Sequence, residues 1–200
     1  MAQSLRPHVP ARSEPLVPSA TLGLLLFIAA ETMLFGGLIG AFLVFRFGSV
    51  TWPPQGMPKL PVLVTAVNTL VLFSSCYPVT KALRAIRRND VLGLRQGLLM
   101  TSLLGGIFLL VQGSEWVRLV EFGLKVSSGP YGSTFYTLIG FHGLHVLGAV
   151  GWLLVILAAA AQNRFSARHH TAVELATIYW WFVSAVWAVL FPLVYLGLGN

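Results

Sequence analysis

The chain has 200 residues, of which 56% are hydrophobic and only 10% are charged, and its mean hydropathy is +0.78. About a quarter of the residues in a soluble domain are charged, so this composition excludes an ordinary water-soluble fold and indicates an integral membrane protein. A net charge of +7 raises the question of nucleic acid. However, the cations flank apolar segments and no zinc-finger or RNA-binding motif is present, so we predict no nucleic-acid partner.

The first 18 residues contain two arginines, one glutamate and four prolines, and they have no apolar core. We interpret them as a disordered cytoplasmic tail rather than as a cleaved signal peptide. Residues 19–200 are predicted to form a single membrane domain.

Five apolar segments are long enough to cross a bilayer, which takes about 20 helical residues. They lack the alternation of barrel strands, and only helices or closed barrels satisfy their backbone in lipid. The sequence therefore predicts an all-α integral membrane protein, a bundle of five transmembrane helices. The predicted helices cover residues 19–45, 61–83, 91–117, 133–161 and 172–196.

The distribution of the cations predicts the orientation of the bundle. Nine cations fall on the side of the tail and four fall on the other side, which predicts the N-terminus inside and the C-terminus outside. The first group is Arg6, Arg12, Lys81, Arg84, Arg87, Arg88, Arg95, Arg164 and Arg168; the second is Arg46, Lys59, Arg118 and Lys125.

Glu31 lies in the middle of the first apolar segment. At roughly 1.5 Å per residue it is about 18 Å deep, and His145 in the fourth segment is about 24 Å deep from the same side. An ionisable group at this depth is a candidate functional site, since it must take up a proton or find a partner. We expect Glu31 and His145 to face each other or a shared polar contact. A carboxyl kept neutral by one local hydrogen bond is the structural alternative.

His142 lies one turn before His145, so both imidazoles fall on one side of the helix. Histidine is a common metal ligand, but no other segment supplies a histidine at this depth, so we predict no metal or haem site in this chain. Glu115 in the third segment lies at a similar level, and a Glu115–His142 contact would satisfy both groups. A glutamate that reaches the headgroups is the alternative.

Arg168, His169, His170 and Glu174 open the fifth segment. Cations beside a helix N-terminus attract phosphate, so these residues are candidates for binding a phospholipid headgroup. An ordinary cytoplasmic loop with positive charge is the alternative. The single cysteine, Cys76, is interpreted as a small buried hydrophobe.

Several blocks in this sequence, in this order, resemble subunit III of the haem–copper oxidases, most closely the cytochrome c oxidase subunit III family in its short five-helix form. They are AETMLF around Glu31, AVNT at 66–69, QGSEW at 112–116, YGSTFY and GFHGLHV within 131–146, and VELATIYWWFVSAVW at 173–187. The resemblance covers nearly the whole chain after the tail.

The resemblance implies an accessory subunit that carries no haem or copper of its own. Such a subunit binds beside the catalytic subunit I, in a complex with the copper-bearing subunit II. It holds structural phospholipid and supports proton uptake in a bacterial plasma membrane. It also implies that Glu31 is the family's membrane-embedded, carbodiimide-reactive glutamate.

Two residues of the last segment depart from the family pattern. Trp181 stands where the resemblance leads us to expect histidine, and Ser184 where it leads us to expect aspartate. Two alternatives to a cytochrome c oxidase subunit remain open at this point. One is the matching subunit of a quinol oxidase or a nitric oxide reductase complex, and the other is an independent transporter.

Overall fold

The computed structural model describes residues 19–58 and 60–197, and within them the chain forms six helices and no strand. The interpretation of residues 1–18 as a tail therefore lies outside the described residues. The helices are α1 (Ser19–Gly48), α2 (Val62–Ser74), α3 (Cys76–Arg87), α4 (Val91–Glu121), α5 (Gly129–Ala161) and α6 (Thr171–Tyr195).

α2 and α3 together form one span, so the described residues contain five segments that are long and apolar enough to cross a membrane. The predicted all-α bundle of five transmembrane helices is confirmed. The orientation of its termini stays a prediction.

The second span is interrupted at Ser75, whereas the sequence predicted a continuous helix over 61–83. Pro78 explains the interruption, because a proline has no N–H to donate to the carbonyl four residues earlier, which is that of Ser74. α5 also starts at Gly129, four residues before the predicted position, with a proline in its first turn. That proline suits a helix start, where no partner exists for its missing N–H.

α4 is the central helix and packs against α2, α3 and α5, while α6 packs against α5, α3 and α2. Two glycines of α4 allow the close approach. A Cβ at Gly97 would lie 2.6 Å from the carbonyl oxygen of Pro78, and one at Gly105 would lie 2.5 Å from the indole of Trp180. Membrane helices have no hydrophobic drive to associate, so small residues that permit such contacts are important for their packing.

α1 lies at the edge of the bundle against α5 and α6. Its buried residues are Phe35, Phe42 and Arg46. The glycine ridge of α1, which includes Gly36 and Gly40, has no other atom within 4 Å of an added Cβ. The ridge therefore makes no close helix contact within the described part of the chain, although its spacing is typical of such contacts.

Three tryptophans of α6 bond to hydroxyl groups on the second span. The indole nitrogen of Trp180 donates to Ser75 Oγ at 2.9 Å, and that of Trp187 donates to Thr69 Oγ1 at 2.9 Å. Trp181, at the surface, donates to Thr80 Oγ1 at 3.1 Å. These bonds satisfy polar groups that lipid cannot, and they fix α6 against α2 and α3.

Candidate functional site

Glu31 of α1 and His145 of α5 meet near the middle of the bundle. Glu31 is the thirteenth of 30 residues in α1, and His145 is the seventeenth of 33 in α5. The Nε2 atom of His145 lies 2.7 Å from Oε2 of Glu31. The expected contact between these two residues is confirmed, and it connects α1 to α5.

The second nitrogen of the His145 ring determines which protons the pair holds. Nδ1 lies 2.6 Å from the carbonyl oxygen of Phe141, which can only accept a hydrogen bond. Nδ1 therefore carries a hydrogen and donates it. The 2.7 Å contact between Nε2 and Glu31 then contains one proton, which belongs either to the ring or to the carboxyl group.

Both positions of that proton leave the pair without net charge. An imidazolium beside a carboxylate and a neutral imidazole beside a carboxylic acid have the same total charge. Losing the proton would place two acceptors opposite each other, and gaining another would give the pair a net positive charge. The contact therefore favours a state with one shared proton, and a net charge at this depth would be costly.

The surroundings of the pair are apolar on one side and accessible on the other. The ring of Phe35 lies 5.1 Å from that of His145, edge to face. The side chains of His145 and Glu31 retain 15% and 16% of their exposure, so the pair is only partly buried between α1 and α5.

His142 occupies a different environment from His145. It is 1% exposed and stacks on Trp187 of α6, with 5.0 Å between the ring centroids and 24° between the planes. Phe108 of α4 lies edge-on to it at 6.3 Å. Neither ring nitrogen has a hydrogen-bond partner among the described residues.

The expected Glu115–His142 contact is absent, and that hypothesis was wrong. Glu115 Oε1 instead accepts from Arg118, one turn along the same helix, at 2.8 Å. Glu115 itself is only 6% exposed. A neighbour at i+3 pairs without any interhelical constraint, and its guanidinium supplies the opposite charge that a neutral histidine lacks.

Glu174 and the backbone groups of His169 and His170 have partners within the protein, whereas Nδ1 of His170 has none among the described residues. Glu174 pairs with Arg87 of α3 at 2.9 Å, with side-chain exposures of 39% and 50%. His169 bonds through its backbone to Ser166 in a tight turn. The carbonyl of His170 accepts from Glu174 at 3.1 Å, and no side chain caps the helix.

Ser184 and Trp181, the two residues that depart from the family pattern, each donate a hydrogen bond. Ser184 donates to the carbonyl of Trp180 at 2.9 Å, and its Oγ lies 3.4 Å from Sγ of Cys76. Cys76 is 4% exposed, in line with a small buried side chain. Trp181 makes the surface bond to Thr80 described above. Sequence reasoning missed the indole–hydroxyl bonds, because helix periodicity alone does not give the rotation of one helix against another.

The fold and the site define a polytopic helical membrane protein with a few buried polar contacts in an apolar bundle. Among residues 19–58 and 60–197, no cluster of three or more His, Cys, Asp or Glu side chains has the arrangement of a metal site. The family model described as cytochrome c oxidase subunit III matches residues 12–197. The chain belongs to this family, whose members are non-catalytic subunits of the haem–copper oxidases, an oxidoreductase class.

Curated relatives support the same assignment. The cytochrome c oxidase subunit 3 of Synechocystis sp. is 42% identical over 175 residues, which cover 87% of this chain and 74% of the relative. That of Thermostichus vulcanus is 38% identical, over 88% of this chain and 86% of the relative. A probable cytochrome c oxidase subunit 3 of Nocardia farcinica is 36% identical, also over 88% of this chain and 86% of the relative.

Proposed function

We propose that this chain is the accessory subunit of a proton-pumping cytochrome c oxidase, and that its Glu31–His145 pair supports proton uptake. In this proposal it binds beside the catalytic subunit I, in a complex with the copper-bearing subunit II, in a bacterial plasma membrane. Membership of the cytochrome c oxidase subunit III family supports the proposed assembly into such a complex. The proposed role of the pair in proton uptake depends on the 2.7 Å contact between His145 and Glu31.

The chemistry of the pair suits a relay or reservoir for protons rather than a charged gate. It holds one proton in a short contact and stays neutral whichever partner owns that proton. Both side chains are partly exposed, at 15% and 16%, which leaves the pair open to proton exchange without full exposure to water. A pair of this kind accepts a proton from one side only when it gives one up to the other, since a net charge is costly in the bundle.

We further propose that a phospholipid headgroup binds at the start of α6. The salt bridge to Arg87 already uses Glu174, so the phosphate would lie against Arg168, His169 and His170. The uncapped N-terminus of α6 adds backbone N–H groups and a favourable dipole. This end of the bundle would face the cytoplasm, as the positive-inside rule predicts from its arginines.

Isolation of the complex tests the proposed assembly. An affinity tag on this chain should recover haem- and copper-containing subunits from native membranes, and the haem spectrum and electron donor should be those of a cytochrome c oxidase. Recovery with a quinol oxidase or a nitric oxide reductase would replace this assignment by a homologue in that complex. A stand-alone protein that conducts ions in liposomes would contradict the accessory role.

A further inference from the structure

A cavity of about 230 Å³ lies between α4 and α5. It is lined by aliphatic and aromatic side chains and by a small set of polar ones, Gln112, Trp116 and His142. Trp187 of α6 forms part of its wall. None of the residues that line it carries an acidic or permanently basic side chain.

Four buried polar atoms without hydrogen-bond partners belong to residues that line this cavity. They are both ring nitrogens of His142, Oε1 of Gln112 and Nε1 of Trp116. His142 and Gln112 are only 1% and 4% exposed. Leaving a buried polar group unsatisfied costs about 1–3 kcal/mol, so this concentration of such atoms points to a ligand that satisfies them.

Glycines leave the cavity open. A Cβ built on Gly113 of α4 or on Gly140 of α5 would meet no other atom within 4 Å, and both residues line the cavity. Gly143 differs, because a Cβ there would lie 3.0 Å from the indole of Trp116. The indole of Trp116 therefore packs against Gly143, while Gly113 and Gly140 leave space free beside it.

The depth and the lining restrict the chemistry of the occupant. His142 is three residues from the middle of α5, so a charged phosphate headgroup would have to enter the hydrocarbon region. The absence of a charged lining residue favours a neutral molecule. The volume is ample for a substituted ring, since an apolar cavity of about 150 Å³ is enough to bind benzene.

The polar atoms provide two hydrogen-bond donors and two acceptors. Trp116 Nε1 donates, a neutral His142 donates from one nitrogen and accepts at the other, and Gln112 Oε1 accepts. We propose that this cavity binds a neutral, membrane-dissolved ring compound with carbonyl or hydroxyl oxygens at its edge, the chemistry of quinones and their quinols. The two donors match ring carbonyls, and the two acceptors match ring hydroxyls.

Photoaffinity labelling of the intact oxidase complex tests this proposal. An arylazido 1,4-benzoquinone should label this chain saturably within residues 106–116 and 139–147. Unlabelled decyl-benzoquinone should compete, whereas decylbenzene, which lacks the oxygens, should not. Equal competition by decylbenzene or by a phospholipid ester would overturn the proposal and indicate a cavity filled by hydrocarbon or by lipid.

Two variants locate the binding. Gly140→Leu places a larger side chain in the cavity and should abolish saturable labelling of this chain, whereas Gly148→Leu should leave it unchanged. Gly148 is a matched control, because it lies on the same helix, has no atom within 4 Å of an added Cβ and does not line the cavity. Labelling that survives Gly140→Leu in a complex with full haem content would refute the assignment.

His142→Phe tests the polar part of the site while it keeps an aromatic ring against Trp187. We expect the apparent affinity for decyl-benzoquinone to fall by roughly tenfold, the effect of losing one or two hydrogen bonds. An unchanged affinity in this variant would show that the imidazole does not recognise the ligand, which would also overturn the proposal.

Discussion

His145 binds Glu31 with one ring nitrogen and the carbonyl of Phe141, on its own helix, with the other. The second bond fixes the tautomer and leaves Nε2 for the carboxyl group. A histidine held in this way presents a single defined atom across the gap between α1 and α5. The pair is thus a direct polar link between α1 and α5.

Removing only the carboxyl of the pair should loosen α1. We expect Glu31→Ala to leave Nε2 of His145 without a partner and to destabilise the bundle by about 1–3 kcal/mol, the cost of an unsatisfied buried group. Thermal unfolding of the detergent-solubilised complex, followed through the release of this chain, measures the effect. Glu31→Gln should be nearly silent in the same assay, because an amide can still donate to Nε2.

Replacing both partners should restore stability without restoring the chemistry. The double variant Glu31→Leu/His145→Phe leaves no polar group unpaired, so it should be more stable than His145→Phe alone. The coupling between the two sites should be favourable by about 0.5–3 kcal/mol in a double-mutant cycle. Strict additivity of the two single substitutions would show that the 2.7 Å contact contributes nothing to stability.

The bond between Trp180 and Ser75 should contribute more than its surface counterpart. Trp180→Phe removes a buried donor at 2.9 Å and should reduce the free energy of unfolding by about 1 kcal/mol or more, since packing is lost as well. Trp181→Phe removes a bond whose tryptophan is 51% exposed, and it should have a smaller effect. Equal losses in the two variants would contradict the importance that we give to burial.

Glycines that lie against a neighbouring helix and glycines that do not should differ in how well they tolerate substitution by alanine. A methyl at Gly97 would press on the backbone of Pro78, so Gly97→Ala should separate α3 from α4 and lower the yield of assembled complex. Gly106→Ala adds the same group on the same helix with no atom within 4 Å and should be tolerated. Complex yield and melting temperature distinguish the two, and a tolerated Gly97→Ala would refute the close contact.

The depth of each residue in the membrane, estimated from the helix rise, was enough to predict the Glu31–His145 contact. Two ionisable groups at the same depth in lipid have few other partners. The same depth estimate led to a wrong prediction of a Glu115–His142 contact, because it does not consider Arg118, a neighbour of Glu115 on the same helix. Depth and periodicity give the level of a residue, but the rotation of each helix depends on packing that the sequence does not display.

Sustained turnover of the Glu31→Gln complex tests the central claim most directly, because this substitution preserves the hydrogen bond and removes only the exchangeable proton. We expect normal assembly, normal haem content and normal initial electron transfer, followed by a faster loss of activity and slower proton uptake than in the unmodified complex. Glu174→Gln removes a carboxylate from the surface pair with Arg87 and is the matched control. If Glu31→Gln matches both the control and the unmodified complex through many turnovers, the pair is structural and the proposed role in proton uptake is wrong.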